Sequence, residues 1–169
     1  MSALLLAGHG ISVTLPQRWE GRLYLRETAP VAGAHVAAYG HPGENANPVL
    51  HLANFALPPG RGDFGSGAVE TMNDTHVFLS LVEYDADEAG RPLFGARGFP
   101  RLTVRDFGAN QLQRKIAGQL GAQRFFTAQG RPFCLYAVLG SQRHAVSLIQ
   151  EVHEVIAGLR VGGDRWARL

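Results

Sequence analysis

This chain of 169 residues contains one cysteine, Cys134, and one lysine, Lys115. A single thiol excludes an internal disulfide, so no covalent framework supports the fold. No apolar run approaches the roughly 20 residues of a membrane-spanning helix. Leu4-Leu5-Leu6 is far too short and lacks the basic flank of a signal peptide. These absences point to the cytoplasm. Charged residues are also scarce, at 18% against 46% hydrophobic, which excludes a disordered, solvated chain and favours one globular domain.

With so little lysine, arginine carries nearly all the positive charge: Lys and Arg total 16 against 14 Asp and Glu. The arginines run from Arg18 to Arg168 without a stripe and are interleaved with acids. A nucleic-acid footprint clusters on one face or helix, so no nucleic-acid partner is expected. The arginine bias, with abundant Ala and Gly, is what a GC-rich coding sequence produces.

What is present is a strong architectural pattern between Gln123 and Leu159. If Gln129-Gly130 is a two-residue turn, Ala128 faces Arg131, Thr127 faces Pro132 and Phe126 faces Phe133. Pro132 then falls at a pair that exchanges no backbone hydrogen bonds, and the two phenylalanines form a cross-strand pair that pins the register. Beyond the turn, Phe133, Leu135, Ala137 and Leu139 point one way and Cys134, Tyr136 and Val138 the other. A strand apolar on both faces is a central strand, so each face of its sheet must be covered. From His144 to Leu159, Ala145, Leu148, Ile149, Val152, Val155, Ile156 and Leu159 recur at helical spacing, with Ser141 as an N-cap and Gly158 or Gly162 as the stop. Phe133, Leu135, Tyr136, Val138, Leu148, Ile149, Val152 and Ile156 are expected in one core.

Elsewhere, Ile11 to Leu15, Arg22 to Glu27, Ala34 to Tyr39, Val49 to Leu57, His76 to Tyr84 and Leu102 to Phe107 read as strands. Asp63 to Met72 reads as a short helix capped by Asp63 and weakened by Gly65 and Gly67. Asn110 to Leu120 is ambiguous, since Leu112, Ile116 and Leu120 suit a helix and Gly118 and Gly121 do not. The expected fold is α+β: a mainly antiparallel sheet covered by helices, with a long C-terminal helix, in one domain over residues 1–161 and a short tail over 162–169. A helix-grip fold is the rival arrangement.

The opening ISVTLPQRW, a strand ending in Leu15-Pro16 with Trp19 beyond, resembles the entry of the PsbP/Mog1-like superfamily, with Gln17-Arg18 where a glycine usually precedes the Trp. The order of strands, short helix, apolar strand, hairpin and final helix from Ile11 to Val161 is similar. The resemblance implies an α/β/α sandwich and a small non-catalytic module that binds a protein partner or supports an assembly. It assigns no functional residues.

Chemistry is sparse. His35, His41, His51 and His76, with Glu44, lack the spacing of metal ligands, and His153-Glu154 has Ala157 where a zincin helix needs its second histidine. No metal and no cofactor is expected. His51, Ser80 and Asp63 can be drawn as a hydrolytic triad, yet no Gly-x-Ser-x-Gly elbow supports it; a hydrogen-bonded structural histidine is the simpler reading. Cys134, mid-strand, reads as a small hydrophobe. Gly60 to Gly67, with its Arg-Gly-Asp, reads as a turn entering the short helix.

Asp85 to Pro100 is the best lead. A loop this long is uncommon in a compact domain and tends to be functional. Arg91, Leu93, Phe94, Arg97 and Phe99 have the composition of an interface centre. If they form a contact surface for a protein partner or for self-association, Phe94 and Phe99 are at least partly exposed with Arg91 or Arg97 beside them. A carrier of a small apolar ligand and an uncharacterised hydrolase are the alternative functions.

Overall fold

The structure, a computed structural model, describes residues 2–26 and 46–163. Its elements are β1 (Leu4–Gly8), β2 (Ile11–Leu15), β3 (Glu20–Leu25), β4 (Pro48–Ala53), β5 (Val77–Glu83), β6 (Leu120–Ala128), β7 (Arg131–Leu139), α1 (Ala145–Ala157) and β8 (Leu159–Val161). They form a five-stranded sheet in the order β3-β4-β5-β7-β6 and a three-stranded sheet in the order β1-β2-β8. Every strand pairing is antiparallel. The α+β class with antiparallel sheets is therefore as expected. The expected strand Ala34 to Tyr39 lies outside the described residues.

The β6–β7 hairpin has the predicted register, Phe126 opposite Phe133 and Thr127 opposite Pro132. Gln129 and Gly130 both adopt positive φ, 53° and 72°, the mirror-image turn whose twist matches the flanking strands. Phe126 and Phe133 stack with centroids 5.8 Å apart. All nine residues of β7 are buried. On one face, Phe133, Leu135, Ala137 and Leu139 pack with Leu79, Leu81, Leu148, Ile149, Val152 and Val155, so α1 and the small sheet cover this side. On the other, Tyr136 and Val138 join Phe78, Ala53, Leu57, Ala68 and Val69 in a separate cluster. The expected single core is thus two cores divided by the sheet, and Ile156 is only partly buried at the margin of the first.

Several local expectations change. Residues 63–72 form turns and one 3-10 turn, Val69–Thr71, instead of a short helix. The glycines explain this: Gly65 and Gly67 adopt φ of +86° and +90°, and a Cβ on Gly65 would stand 2.4 Å from the Phe78 ring. Residues 102–107 hold a 3-10 turn, Val104–Asp106, instead of a strand, because Thr103 and Asp106 close a reciprocal capping box. The ambiguous stretch begins within the 3-10 turn Ala109–Gln111 and forms no α-helix. Helix α1 starts after His144; Ser141 Oγ instead accepts the Arg143 N–H at 3.0 Å in the turn leading in. The second sheet face is therefore covered by loops and 3-10 turns among the described residues, not by helices.

A buried ion pair ties the small sheet to the large one. Arg131 and Glu83 side chains are 5% and 0% exposed. Arg131 Nε and Nη2 donate to the two Glu83 carboxylate oxygens at 3.0 and 2.6 Å. The remaining guanidinium donors reach the carbonyls of His9 at 2.9 Å, Gly10 at 3.1 Å and Gly162 at 3.0 Å. One side chain thus clamps the β1–β2 turn and the end of β8 onto the main sheet. This fork geometry suits arginine and not lysine.

Candidate functional site

Two places concentrate chemistry, and they differ in kind. The first is a polar cluster on the loop-covered face. Strand pairing sets His51 of β4 opposite Ser80 of β5, and the turn ending at Asp63 lies over both. The three residues drawn as a triad do converge, on the wrong atom. His51 Nε2 donates to the Asp63 backbone carbonyl at 2.9 Å, and Ser80 Oγ donates to the same oxygen at 2.5 Å. The Asp63 carboxylate turns away: Tyr24 Oη donates to it at 2.8 Å and Arg26 Nε stands 3.0 Å from it. A working triad needs the serine on one imidazole nitrogen and the carboxylate on the other. Here the other nitrogen, Nδ1, accepts from Arg61 Nε at 3.0 Å.

These bonds fix a neutral imidazole with its proton on Nε2. Burial pushes the His51 pKa down to about 4, and the Arg61 charge adds to the effect against the opposing Asp63 carbonyl bond. Burial and then the Asp63 carboxylate push the Tyr24 hydroxyl well above its ordinary value. His51 also meets the Phe78 ring edge-on at 5.1 Å and Tyr24 at 5.3 Å. What the cluster does is hold residues 58–66 against the sheet. The Arg-Gly-Asp tripeptide is part of this lock, with Arg61 bonded to His51 and to the Pro58 carbonyl.

The remaining candidates are equally anchored. Cys134 is buried, its thiol pushed up to about 11 by that burial, and Gln123 donates to its sulfur at 3.5 Å. His76 stacks on Phe55 and accepts the Asn73 N–H at 3.0 Å, and His153 Nε2 donates to the Leu102 carbonyl at 2.6 Å. Among the described residues no group of His, Cys, Asp and Glu could hold a metal ion; His35, His41 and Glu44 lie outside them. No helix among the described residues is long and apolar enough to cross a membrane.

The second place is a groove of about 780 Å³ between the Asp85 to Pro100 loop, the Gln129-Gly130 turn and β8, lined by Phe94, Arg97, Phe99, Thr127, Leu159 and Arg160 among others. The loop is built onto the sheet by its aromatics. Phe94 is 2% exposed, set between Tyr84 at 5.3 Å and Phe125 at 5.5 Å, and its carbonyl accepts Thr127 Oγ1 at 2.7 Å. Phe99 is half-buried beside Phe126 at 5.2 Å. The expectation of an exposed Phe94 is therefore corrected: its ring fills the gap beside β6. Residues 96–98 bond to Thr127 through Gly98 N at 2.9 Å and Ala96 O at 2.8 Å, capping part of the β6 edge.

The five loop residues singled out from sequence separate into anchors, Phe94 and Phe99, and exposed residues, Arg91, Leu93 and Arg97. Leu93 is 60% exposed. Arg91 is engaged with Asp87 at 3.8 Å and Glu88 at 3.4 Å, surface pairs of little energetic weight. Sequence reasoning missed Tyr24, Arg61, Arg131 and Glu83. A lone acid closing a mainly apolar strand, as Glu83 does in Val77–Glu83, is the usable sign that a buried partner exists. Comparison with protein-family models, curated proteins and solved structures found no match to this chain.

Proposed function

We propose that this chain is a non-catalytic protein-interaction or assembly-supporting module, with the groove beside the Asp85 to Pro100 loop as its contact surface. One observation carries the reading. The loop is fixed from below by Phe94 and Phe99, while Leu93 and Arg97 are left exposed on it and Arg97 lines the groove. A preordered loop that offers an apolar side chain and an arginine keeps the entropy cost of binding low. The inward wiring of His51, Ser80 and Asp63 favours this reading over a hydrolase. The direct packing of Leu148, Ile149, Val152 and Val155 onto the sheet favours it over a helix-grip carrier, which needs that space for its ligand.

A PsbP/Mog1-like relationship is part of the same proposal. Support comes from the entry Ile11 to Trp19: β2 ends at Leu15, Trp19 is buried, and Arg18 adopts a φ of 71° at the position where a glycine would be at ease. The test is affinity capture from the native host with the wild type and with a Leu93→Ser, Arg97→Ala double variant. The wild type is expected to retain a stoichiometric protein that the variant loses, with the melting temperature unchanged. Identical capture by both would reject the exposed face of the loop, and with it the Arg97 edge of the groove, as the contact surface.

A further inference from the structure

Among the described residues, the outer edge of β1 is an apolar strand edge left open without a device to protect it. The β1–β2 turn, His9-Gly10, has φ of 51° and 70°, a two-residue turn whose closing pair, Gly8 and Ile11, exchanges hydrogen bonds. Alternation then directs the backbone groups of Leu4, Leu6 and Gly8 toward β2 and those of Leu5 and Ala7 outward. The neighbouring strand confirms the parity, since Thr14 N donates to Gly158 O on the far side of β2 at 3.1 Å. Among the described residues, the outward N–H and C=O groups of Leu5 and Ala7 meet no partner. Leu4 and Leu5 are 63% and 64% exposed.

Natural edges are protected by charge, proline, bulges or cover. The β6 edge has such cover in residues 96–98 and in the Gly108–Gly121 bridge. Residues 2–8, Ser-Ala-Leu-Leu-Leu-Ala-Gly, contain no charge and no proline. The segment is also self-complementary. An antiparallel pairing with its own copy across a two-fold axis at Leu5 sets Leu5 against Leu5 of the partner subunit. Leu4 then meets Leu6 of the partner subunit, and Ala7 meets Ala3 of the partner subunit. The outward N–H and C=O groups of Leu5 satisfy one another, and both exposed leucines are covered. An axis one residue further on would oppose Leu4 with a glycine and cover it poorly.

We propose that two copies of this chain associate through β1, joining their small sheets into one continuous six-stranded sheet. A five-residue edge buries less than the about 800 Å² per partner of a standard interface. The pair is therefore a weak dimer whose population rises with concentration. The groove at the Ser2 end of β1, lined by Leu4, Leu15, Pro16 and Trp19, is where the β1–β2 turn of the second copy would fall.

Sedimentation equilibrium from micromolar to millimolar concentration tests this. The mass is expected to rise from 18.3 kDa toward twice that value. Leu5→Pro deletes the outward N–H and leaves the β1–β2 ladder whole, so it should weaken association at least tenfold with an unchanged circular dichroism spectrum. Leu5→Lys, which alters only an exposed side chain, should do the same and decides the matter if the proline variant misfolds. A monomer mass throughout, or association that survives Leu5→Lys and yields instead to the Leu93→Ser, Arg97→Ala variant, would overturn the proposal.

Discussion

The two faces of the five-stranded sheet are covered by different physics. One face meets α1 and β1-β2-β8, regular elements whose apolar side chains recur at fixed spacing and interlock with Leu79, Leu81 and Leu135. The other meets turns from residues 54–76 and 109–118, which have no period and contribute a smaller apolar cluster. Where periodic packing is missing, directional bonds take its place: His51, Ser80, Tyr24 and Arg61 converge on Asp63 or on one another. An irregular cover carries backbone polar groups that must find partners once buried, and buried side chains supply them. The polar residues that looked catalytic in the sequence are those partners.

The largest effect is expected at the clamp on the regular face. Arg131→Met leaves Glu83 buried without its guanidinium and removes a donor from the carbonyls of His9, Gly10 and Gly162, of which Gly10 keeps the Gly162 N–H. Breaking a buried pair in this way typically costs about 3–5 kcal/mol, read from urea unfolding. A loss under about 1 kcal/mol would mean that the small sheet is not held through this residue. Leu135→Ala, in the middle of the same face, should cost about 2–5 kcal/mol through lost burial and the cavity left behind.

That contrast also explains what was legible in the sequence. The hairpin register, the two-sided burial of β7 and the apolar stripe of α1 follow from periods of 2 and 3.6, which survive in any context. Strand β1 was missed because Leu4-Leu5-Leu6 is a short apolar run without alternation, and β8 because Leu159–Val161 is only three residues long. Residues 63–72 read as a short helix on the Asp63 cap, whereas the backbone needs Gly65 and Gly67 at positive φ. The loop was recognised as distinctive by length and composition. Composition could not reveal that Phe94 faces Tyr84 and Phe125, because those contacts come from distant segments.

The irregular face should be the acid-sensitive one. His51 has a folded pKa of about 4 against an unfolded value of 6.5, so the unfolded chain binds the proton first as pH falls. Stability from the neutral imidazole is therefore complete above pH 6.5 and is lost as pH falls from 6.5 toward 4. The loss amounts to about 3 kcal/mol at about 1.4 kcal/mol per pH unit. Unfolding free energy measured across this window should show that slope, and His51→Gln should flatten it. The smallest effect belongs to the loop surface: Leu93→Ser with Arg97→Ala should change unfolding free energy by no more than about 0.5 kcal/mol per site, as surface truncations do. A larger loss would place these side chains in the core.

The claim that polar bonds hold residues 58–66 against the sheet while α1 is held by apolar packing is tested most directly by native-state hydrogen exchange. Protection factors should be compared between pH 7 and pH 5 for residues 58–72 and for α1. The account predicts that residues 58–72 lose protection on acidification, and lose it at pH 7 in His51→Gln, while Leu148 to Val155 keep theirs. Equal loss in both segments, or loss in α1 first, would contradict it.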